Sequence, residues 1–595
     1  MADGAGSRIR DPRYVERRLE VERRGDGTIV LRNPTPFARD RVTTNASLDH
    51  WAVAAPTRTW LAERSGQGWR ELSYAEGLER VARLAGALKA LGLGPGKPLL
   101  VLAQNGVDHA LIAYAAMRIG APVAPISPQY GHPGADPSRL AHAVELIRPA
   151  AVFVDDAAAF ASALEEPLLA GLMVIAQAHA RPGDHPLSAL LDAAPQGDIA
   201  RSGDIAKLML TSGSTGKPKA VVCLHRGVAA NGAQIAACFD DPDPWVAMHG
   251  APWSHSLGGT AILHMMLHRG GTLYIDHGQP TPTRFGETIR NLKAVPTTYH
   301  NMVPAGFGLL AGELERDEGL ARVFFERVRL LQYGGAGLAQ SVCDRIQAVA
   351  LRTVGEQISI GSGYGSTETG PTACNIHWPN LKTGLCGLPV PGGAAKLAPE
   401  GEKFEIRVSG PQVSPGYYNP PEGASDPFDE EGFYRLGDAA KLVDVDDPRA
   451  GLVFDGRLVE NFKLASGTFV AAGTLRLSAL SAIGGAVSDA IVCGEGRDAV
   501  GLLLFPEVVH IQALGGPAAA RAAVEAGLTQ LNAAARGGGG KVARALILHH
   551  APEALSGEIT DKGYINQALA RSRRAAEVER LFAEAPDAEV IVLAP

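Results

Sequence analysis

Short apolar runs that end in glycine-rich or polar loops alternate with amphipathic helical segments along most of this chain. That alternation confines it to an α/β architecture with a parallel, buried sheet and helices on both faces. In the first unit, Ser73 and Glu76 stand at capping-box spacing, Leu78, Val81, Leu84, Ala85, Leu88 and Leu91 share one helical face, and Gly92 ends the helix. A strand over 98–103, a helix over 109–119 and a strand over 151–154 complete a β-α-β pattern. Further strands are predicted over 206–210, 220–224, 272–275, 330–333 and 358–360. In open α/β sheets ligands sit beyond the carboxyl ends of strands, so the loops that follow these runs are where chemistry is sought. From 387 to 443 the chain turns to short strands punctuated by Gly and Pro, which predicts a β-rich subdomain. A smaller unit begins near Gly456, with strands over 490–493 and 500–505, an alanine-rich helix and a Gly537–Gly540 loop. The charged first 45 residues or so are expected to form an ordered arm or strand hairpin laid on the first domain.

Composition narrows the function. At 595 residues the chain is long enough for two to four folding units, at about 150 residues per domain. Its 56 Lys and Arg against 63 Asp and Glu give a net charge of −7, which argues against a broad nucleic-acid surface. Six dispersed cysteines without a C-x-x-C pair indicate neither a zinc site nor a disulfide framework. The Arg- and Asp-rich N-terminus lacks the apolar stretch of a signal peptide, and no apolar run reaches the roughly 18 residues needed to span a bilayer. The sequence therefore reads as cytoplasmic, without a nucleic-acid or membrane partner; a homodimer is compatible with it.

The densest chemical signal is the run Thr211, Ser212, Gly213, Ser214, Thr215, Gly216, Lys217, Pro218, Lys219, directly after the predicted strand. Its glycines let backbone N–H groups approach phosphate oxygens, its four hydroxyls add donors and its lysines add charge. It is not a Walker A loop, because the G-x-x-x-x-G-K-[ST] spacing fails and Pro218 follows Lys217.

At this loop the chain begins to resemble the acyl-adenylate-forming superfamily. The order continues with His255 in Ala-Pro-Trp-Ser-His, Gly334-Gly-Ala-Gly337, Tyr364-Gly-Ser-Thr-Glu-Thr369, the segment Gly384–Gly392, Tyr434-Arg-Leu-Gly-Asp438, Gly456-Arg457 with Lys463 and Gly467, and the late Lys562. The resemblance implies a large N-terminal adenylation domain over 1–458, arm included, and a small mobile α+β lid over 459–595. It also implies a two-step reaction with ATP, Mg²⁺ and CoA. A carboxylate attacks the ATP α-phosphate to give an acyl-adenylate and pyrophosphate, and a thiol then displaces AMP. In that scheme Lys562 acts in the first step, Thr367 reaches the α-phosphate and Glu368 holds Mg²⁺. Tyr364 lies against adenine, Gly335, Ala336 and Gly337 border it, and Asp438 and Arg457 hold the ribose. His255 gates the acyl pocket, and Lys463 and Gly467 belong to the CoA-facing side. The expected pivot between domains departs from the family, with Val459 in place of Asp or Lys and Glu460 as a substitute.

The surroundings of Lys562, where Asp561 replaces a glycine, the string Asn461–Val470 and the extended arm are most similar to the feruloyl-CoA synthetase branch. The implied substrate is ferulate, p-coumarate or caffeate, in a flat slot walled by His255, Ser256, Tyr299, Gly335, Gly363 and Ser366. Fatty or other aromatic acids stand as the alternative, as does a non-catalytic acyl or nucleotide sensor. A serine hydrolase is disfavoured by the absence of a G-x-S-x-G string. The chain ends soon after Lys562, so free CoA is the expected acceptor.

Overall fold

The computed structural model describes residues 8–211, 218–281, 283–401, 403–420, 423–458, 462–507, 511–512, 514–535, 538–550, 552, 558 and 565–593. A large N-terminal domain carries two mixed sheets, and a smaller C-terminal domain carries its own sheet.

The eight-stranded sheet runs, in spatial order, His185–Pro186, Met173–Ala178, Ala151–Asp156, Leu99–Leu102, Val123–Pro125, Ile205–Thr211, Lys219–Leu224 and Tyr417–Tyr418. It is parallel as far as Ile205–Thr211 and antiparallel beyond. The strands of the expected β-α-β run are thus parallel, and the sheet turns antiparallel at its last two strands. The reason is chain length: the link from Thr211 to Lys219 is shorter than the dozen residues a parallel crossover needs, so the two strands pair as a hairpin, with Thr211 opposite Lys219.

The sixteen-stranded sheet has a parallel centre formed by Gln357–Tyr364, Leu330–Tyr333, Tyr299–Met302, Val246–His249, Thr272–Ile275 and Thr59–Ser65. On one side the β-rich subdomain continues it with antiparallel strands, among them Leu385–Pro389, Ala394–Glu400, Lys403–Ser409, Tyr434–Leu442 and Leu452–Arg457. The N-terminal arm supplies two pieces. Ile9–Arg10 pairs with Gln357–Tyr364, and the hairpin Glu20–Arg23/Ile29–Arg32 extends the β-rich sheet against Ala394–Glu400. The helix predicted after Ser73 spans Tyr74–Ala90 with both bonds of its capping box made.

The smaller domain sets Val487–Cys493, Val500–Pro506, Val542–Ile547 and Ile591–Val592 in one sheet, packed with the helices Ala472–Ile483 and Pro517–Ala534 over a separate apolar cluster. Among the described residues no helix is long and apolar enough to cross a membrane. The six cysteines are free thiols.

Lys207 lies fully inside the strand that leads to the phosphate-type loop. Its ammonium donates to the carbonyl of Gly259 within a π-helical turn, Leu257–Ile262. That turn begins two residues after His255, so the lysine ties the strand ahead of the Thr211–Lys219 run to the segment that carries His255. Burial lowers its pKa to about 8. Between about pH 8 and the ordinary lysine value near 10.4 the unfolded chain therefore binds the extra proton, and this group's contribution to stability rises with pH. Comparing urea unfolding of wild type and Lys207→Met across that window should show the wild type gaining on the variant as pH rises. A pH-independent difference would mean that Lys207 is not charged and buried together.

Candidate active site

Because the central strands of the large sheet are parallel, their carboxyl ends emerge on one edge, and a cleft of about 940 Å³ opens there. All six residues expected as pocket walls, His255, Ser256, Tyr299, Gly335, Gly363 and Ser366, line it. His255 sits in a tight turn, its N–H donating to Pro252 O at 3.0 Å and its carbonyl accepting from Gly259 at 2.8 Å. The two glycines after it are required by close approach. A Cβ on Gly258 would come within 2.4 Å of Ala251 O, and one on Gly259 within 2.1 Å of Trp253 O.

Tyr299 stands in the wall with its hydroxyl already engaged. Its ring is buried and stacked on Trp245 at 5.0 Å, and its hydroxyl donates to Gln332 Oε1 at 2.5 Å while accepting from Asn301 Nδ2 at 3.2 Å. It braces the floor of the cleft and has no bond left for a ligand.

The joint between the two halves of the site is Thr367. Its Oγ1 donates to Ser256 Oγ at 3.1 Å, beside the gate, and the next residue, Glu368, accepts from Tyr417 OH at 3.0 Å. Tyr417 in turn shares a hydrogen bond with Tyr434 at 3.0 Å and lies under Lys219, whose Nζ is 4.8 Å from the ring centroid. Burial and the Glu368 carboxylate push the Tyr417 phenol up to about 12, so it stays a donor at neutral pH. Thr211, at the end of its strand, faces Lys219 across the hairpin. A carboxylate, a lysine and a threonine hydroxyl thus converge where the phosphate-type loop departs.

Among the residues expected to hold a nucleotide, Tyr364 OH donates to Asp438 Oδ2 at 2.8 Å, and Arg457 Nε stands 3.5 Å from Asp438 Oδ1. Asp438 and Arg457 are register partners in neighbouring antiparallel strands, which sets that distance. Gly335 holds φ of +83°, a conformation open to glycine, at the start of the Gly335–Ala336–Gly337 strip. The strip meets the smaller domain: a Cβ on Gly337 would fall 2.5 Å from Leu477 Cδ1, on the helix Ala472–Ile483. Lys463 and Gly467 lie exposed on the small hairpin Phe462–Lys463/Phe469–Val470, with Gly467 at φ of +80° in its turn.

Ser212, Gly213, Ser214, Thr215, Gly216 and Lys562, together with Val459 and Glu460, lie outside the described residues. Among the described residues no cluster of three His, Cys, Asp or Glu side chains could hold a metal alone. A single carboxylate such as Glu368 still fits Mg²⁺, which takes one or two protein oxygens and completes its shell with phosphate and water. Sequence reading missed Tyr417, Leu477, Gln332, Asn301 and His249. Tyr417 and Leu477 reach the site only through tertiary packing, and the other three stand within runs whose apolar pattern is interrupted.

The geometry can now be set against known proteins. Residues 48–418 match the AMP-binding enzyme family, and residues 477–586 match the AMP-binding enzyme C-terminal domain. The feruloyl-CoA synthase of an Amycolatopsis species is 27% identical over 419 residues, 67% of this chain and 77% of that protein. A Streptomyces salicylyl-CoA synthase / salicylate adenylyltransferase is 27% identical over 417 residues, 66% of this chain and 71% of its own. The ATP-bound MatB of Rhodopseudomonas palustris shares the fold, with a TM-score of 0.71 at 20% identity over 90% of this chain and 100% of that one. With its larger part matched end to end and its smaller domain matched separately, the chain belongs to the AMP-binding enzyme family, within the acyl-adenylate-forming superfamily.

Proposed function

We propose that this chain is an ATP-dependent carboxylate:CoA ligase that works through an acyl-adenylate and takes hydroxycinnamates, ferulate and p-coumarate foremost. The observation that carries the reading is the Thr367 joint: one threonine touches the acyl cleft through Ser256, and its neighbour Glu368 joins the Lys219–Tyr417 cluster. An acid in the cleft and a triphosphate on the loop would meet there.

In the first half-reaction a carboxylate oxygen bonds to the α-phosphorus as the bond to the β-phosphate bridge breaks and pyrophosphate leaves. Both reactants are anionic, so positioned cations and donors are needed to offset repulsion and to stabilise charge at phosphorus. In this reading Lys562, Lys219 and the loop hydroxyls of Thr211, Ser212, Ser214 and Thr215 supply them, with Thr367 donating to the α-phosphate. Glu368 would hold Mg²⁺, which when bound neutralises phosphate charge. Asp438, an acceptor-only side chain at neutral pH, takes the ribose hydroxyls, with Arg457 beside it, while Tyr364 supports the adenine. In the second half-reaction the CoA sulfur attacks the acyl carbon, the mixed anhydride breaks, AMP leaves and the thiol proton passes to solvent. The smaller domain, taken from residue 459, turns at Val459 and Glu460 to bring Lys463 and Gly467 toward the cleft. His255 stands between acyl pocket and entering thiol.

The hydroxycinnamate reading rests on the shape and polarity of the cleft. Gly363 leaves width in the cleft that Asn301 and Gln332 also line, which suits a flat phenolic ring better than a flexible alkyl chain. Feruloyl- and salicylyl-CoA synthases among the relatives support an aromatic acid.

Pyrophosphate exchange against a panel of acids, followed by CoA-dependent product formation, tests the reading. Ferulate and p-coumarate should exceed octanoate in kcat/KM by roughly 10²-fold, and no exchange with any acid would leave only a binding protein. Gly363 is the position at which to narrow the slot: a Cβ there meets Gln332 Nε2 and Thr372 Oγ1 at 3.5 Å, ordinary contact distance, whereas Gly335 would add backbone strain. Gly363→Val should cut ferulate turnover far more than acetate turnover; equal effects would take Gly363 out of the acyl pocket.

Lys562→Ala should lower adenylation on the order of 10²-fold or more and largely spare thioester formation from supplied acyl-adenylate, since the charge is used only in the first half-reaction. Equal loss in both would remove that role. Asp438→Ala should raise the KM for ATP roughly 10- to 100-fold, the loss of charged hydrogen bonds to ribose, with a smaller effect on kcat. An unchanged ATP affinity measured by titration would return Asp438 to a purely structural role.

A further inference from the structure

Across the floor of the acyl cleft runs a chain of buried side chains with one direction of donation. Gln332 Nε2 donates to Asn375 Oδ1 at 2.8 Å, Tyr299 OH donates to Gln332 Oε1 at 2.5 Å, and Asn301 Nδ2 donates to Tyr299 OH at 3.2 Å. Asn301 Oδ1 then faces His249 Nε2 at 3.2 Å. The Tyr299 hydroxyl has a single proton, which goes to Gln332, so Asn301 must present its NH₂ to Tyr299 and its oxygen to His249. That oxygen requires a donor, which places the imidazole proton on Nε2 and leaves Nδ1 as a lone-pair acceptor. His249 is buried, lines the cleft, and its Nδ1 has no partner among the described residues. Burial lowers its pKa to about 4, in keeping with a neutral ring.

Asn375 Nδ2, at the end of the ladder away from the cleft lining, is a donor also without a partner among the described residues, and the polar atoms nearer the cleft are bonded or face elsewhere. Asn301, Tyr299 and Gln332 are bonded to one another. His300, whose nitrogens are also without partners, alternates to the other face of the sheet, where its ring packs edge-on against Phe307 and Phe324. The open position at the cleft end of the ladder is therefore an acceptor with its tautomer set by Asn301 behind it.

We propose that His249 is a specificity-determining residue that accepts a hydrogen bond from a ring hydroxyl of the acyl substrate through Nδ1, and that the Asn301–Tyr299–Gln332–Asn375 ladder positions it. This rests on the aryl-acid reading above and deepens it: the enzyme selects for a donor on the ring, not for ring size alone. A ligand without the donor leaves a buried acceptor unmet, the kind of defect that separates close analogues most strongly.

The test compares adenylation of 3- and 4-hydroxycinnamate with cinnamate and 4-methoxycinnamate, which lack a ring donor, and with octanoate. In the wild type at least one hydroxylated acid should lead both donor-free aryl acids by roughly 10- to 100-fold in kcat/KM. His249→Gln keeps a donor for Asn301 and removes the Nδ1 acceptor; the preference should fall to within about 3-fold while cinnamate turnover is kept. His249→Asn carries an acceptor nearer the Nδ1 position and should retain part of the preference. Wild-type enzyme that uses cinnamate as well as its hydroxylated forms overturns the proposal without any variant, and so does a His249→Gln enzyme that keeps the preference or loses all aryl acids equally. Preference for octanoate over every aryl acid would overturn the aryl-acid reading itself, and this proposal with it.

Discussion

Backbone hydrogen bonding holds Val246–His249, Tyr299–Met302, Leu330–Tyr333 and Gln357–Tyr364 in one parallel register, and every element of the candidate site hangs from it. Ala247 stands opposite Tyr299, Asn301 opposite Gln332 and Gln332 opposite Gly361, so alternate residues share one face, and Tyr299, Asn301 and Gln332 on it line the cleft. Because side chains alternate with period two, a slip of one residue would send His300 and Leu331 into the cleft and bury Asn301 and Gln332 among Phe307 and Phe324. The polar ladder resists that slip, since its members would then lose their partners in an apolar environment. The loops carrying His255, Gly335 and Thr367 follow from these strand ends, so their spacing is set by the sheet and not by the loops themselves.

What could be read in the sequence follows the same physics. Thr272–Ile275 was legible as a strand because it presents an unbroken apolar or β-branched run, Leu330–Tyr333 because Gln332 is its single polar interruption, and the helix after Ser73 because its capping box and apolar stripe agree. The strands Val246–His249 and Tyr299–Met302 were not, since His249, His300 and Asn301 interrupt the pattern that marks a buried strand. Their polar side chains are tolerated because partners arrive from strands far away in the chain, a condition no local window contains. The antiparallel turn of the sheet at Lys219 was likewise hidden: composition marked the loop as phosphate-binding, while only its length forbids a crossover.

Site residues were legible where motifs fix them and silent where packing does. Tyr364, Asp438 and Arg457 come from three separate strands, and their order in the chain was the sole sequence clue to their meeting. Tyr417 carries no such clue. It becomes a site residue because its short strand closes the edge of the other sheet, beside Lys219–Leu224, and so sets its hydroxyl on Glu368 and its ring under Lys219. That contact also explains how a loop from one sheet and a carboxylate from the other come to share a single anion-facing surface.

The cleft is built to select by bonding more than by size. Gly363 leaves room in the cleft, and a wide slot rejects a smaller acid weakly, since one methylene more or less in a pocket is worth only about 1–3 kcal/mol. A buried, bonded polar network that presents one unmet acceptor to the cleft behaves differently. The bonded members are rigid, so the unmet atom cannot relax toward another partner, and a ligand that fails to satisfy it bears a desolvation cost of about 1–3 kcal/mol without compensation. In this chain that atom is His249 Nδ1, backed by Asn301, while Tyr299, expected from the sequence only as a pocket wall, is the member that keeps the network in line.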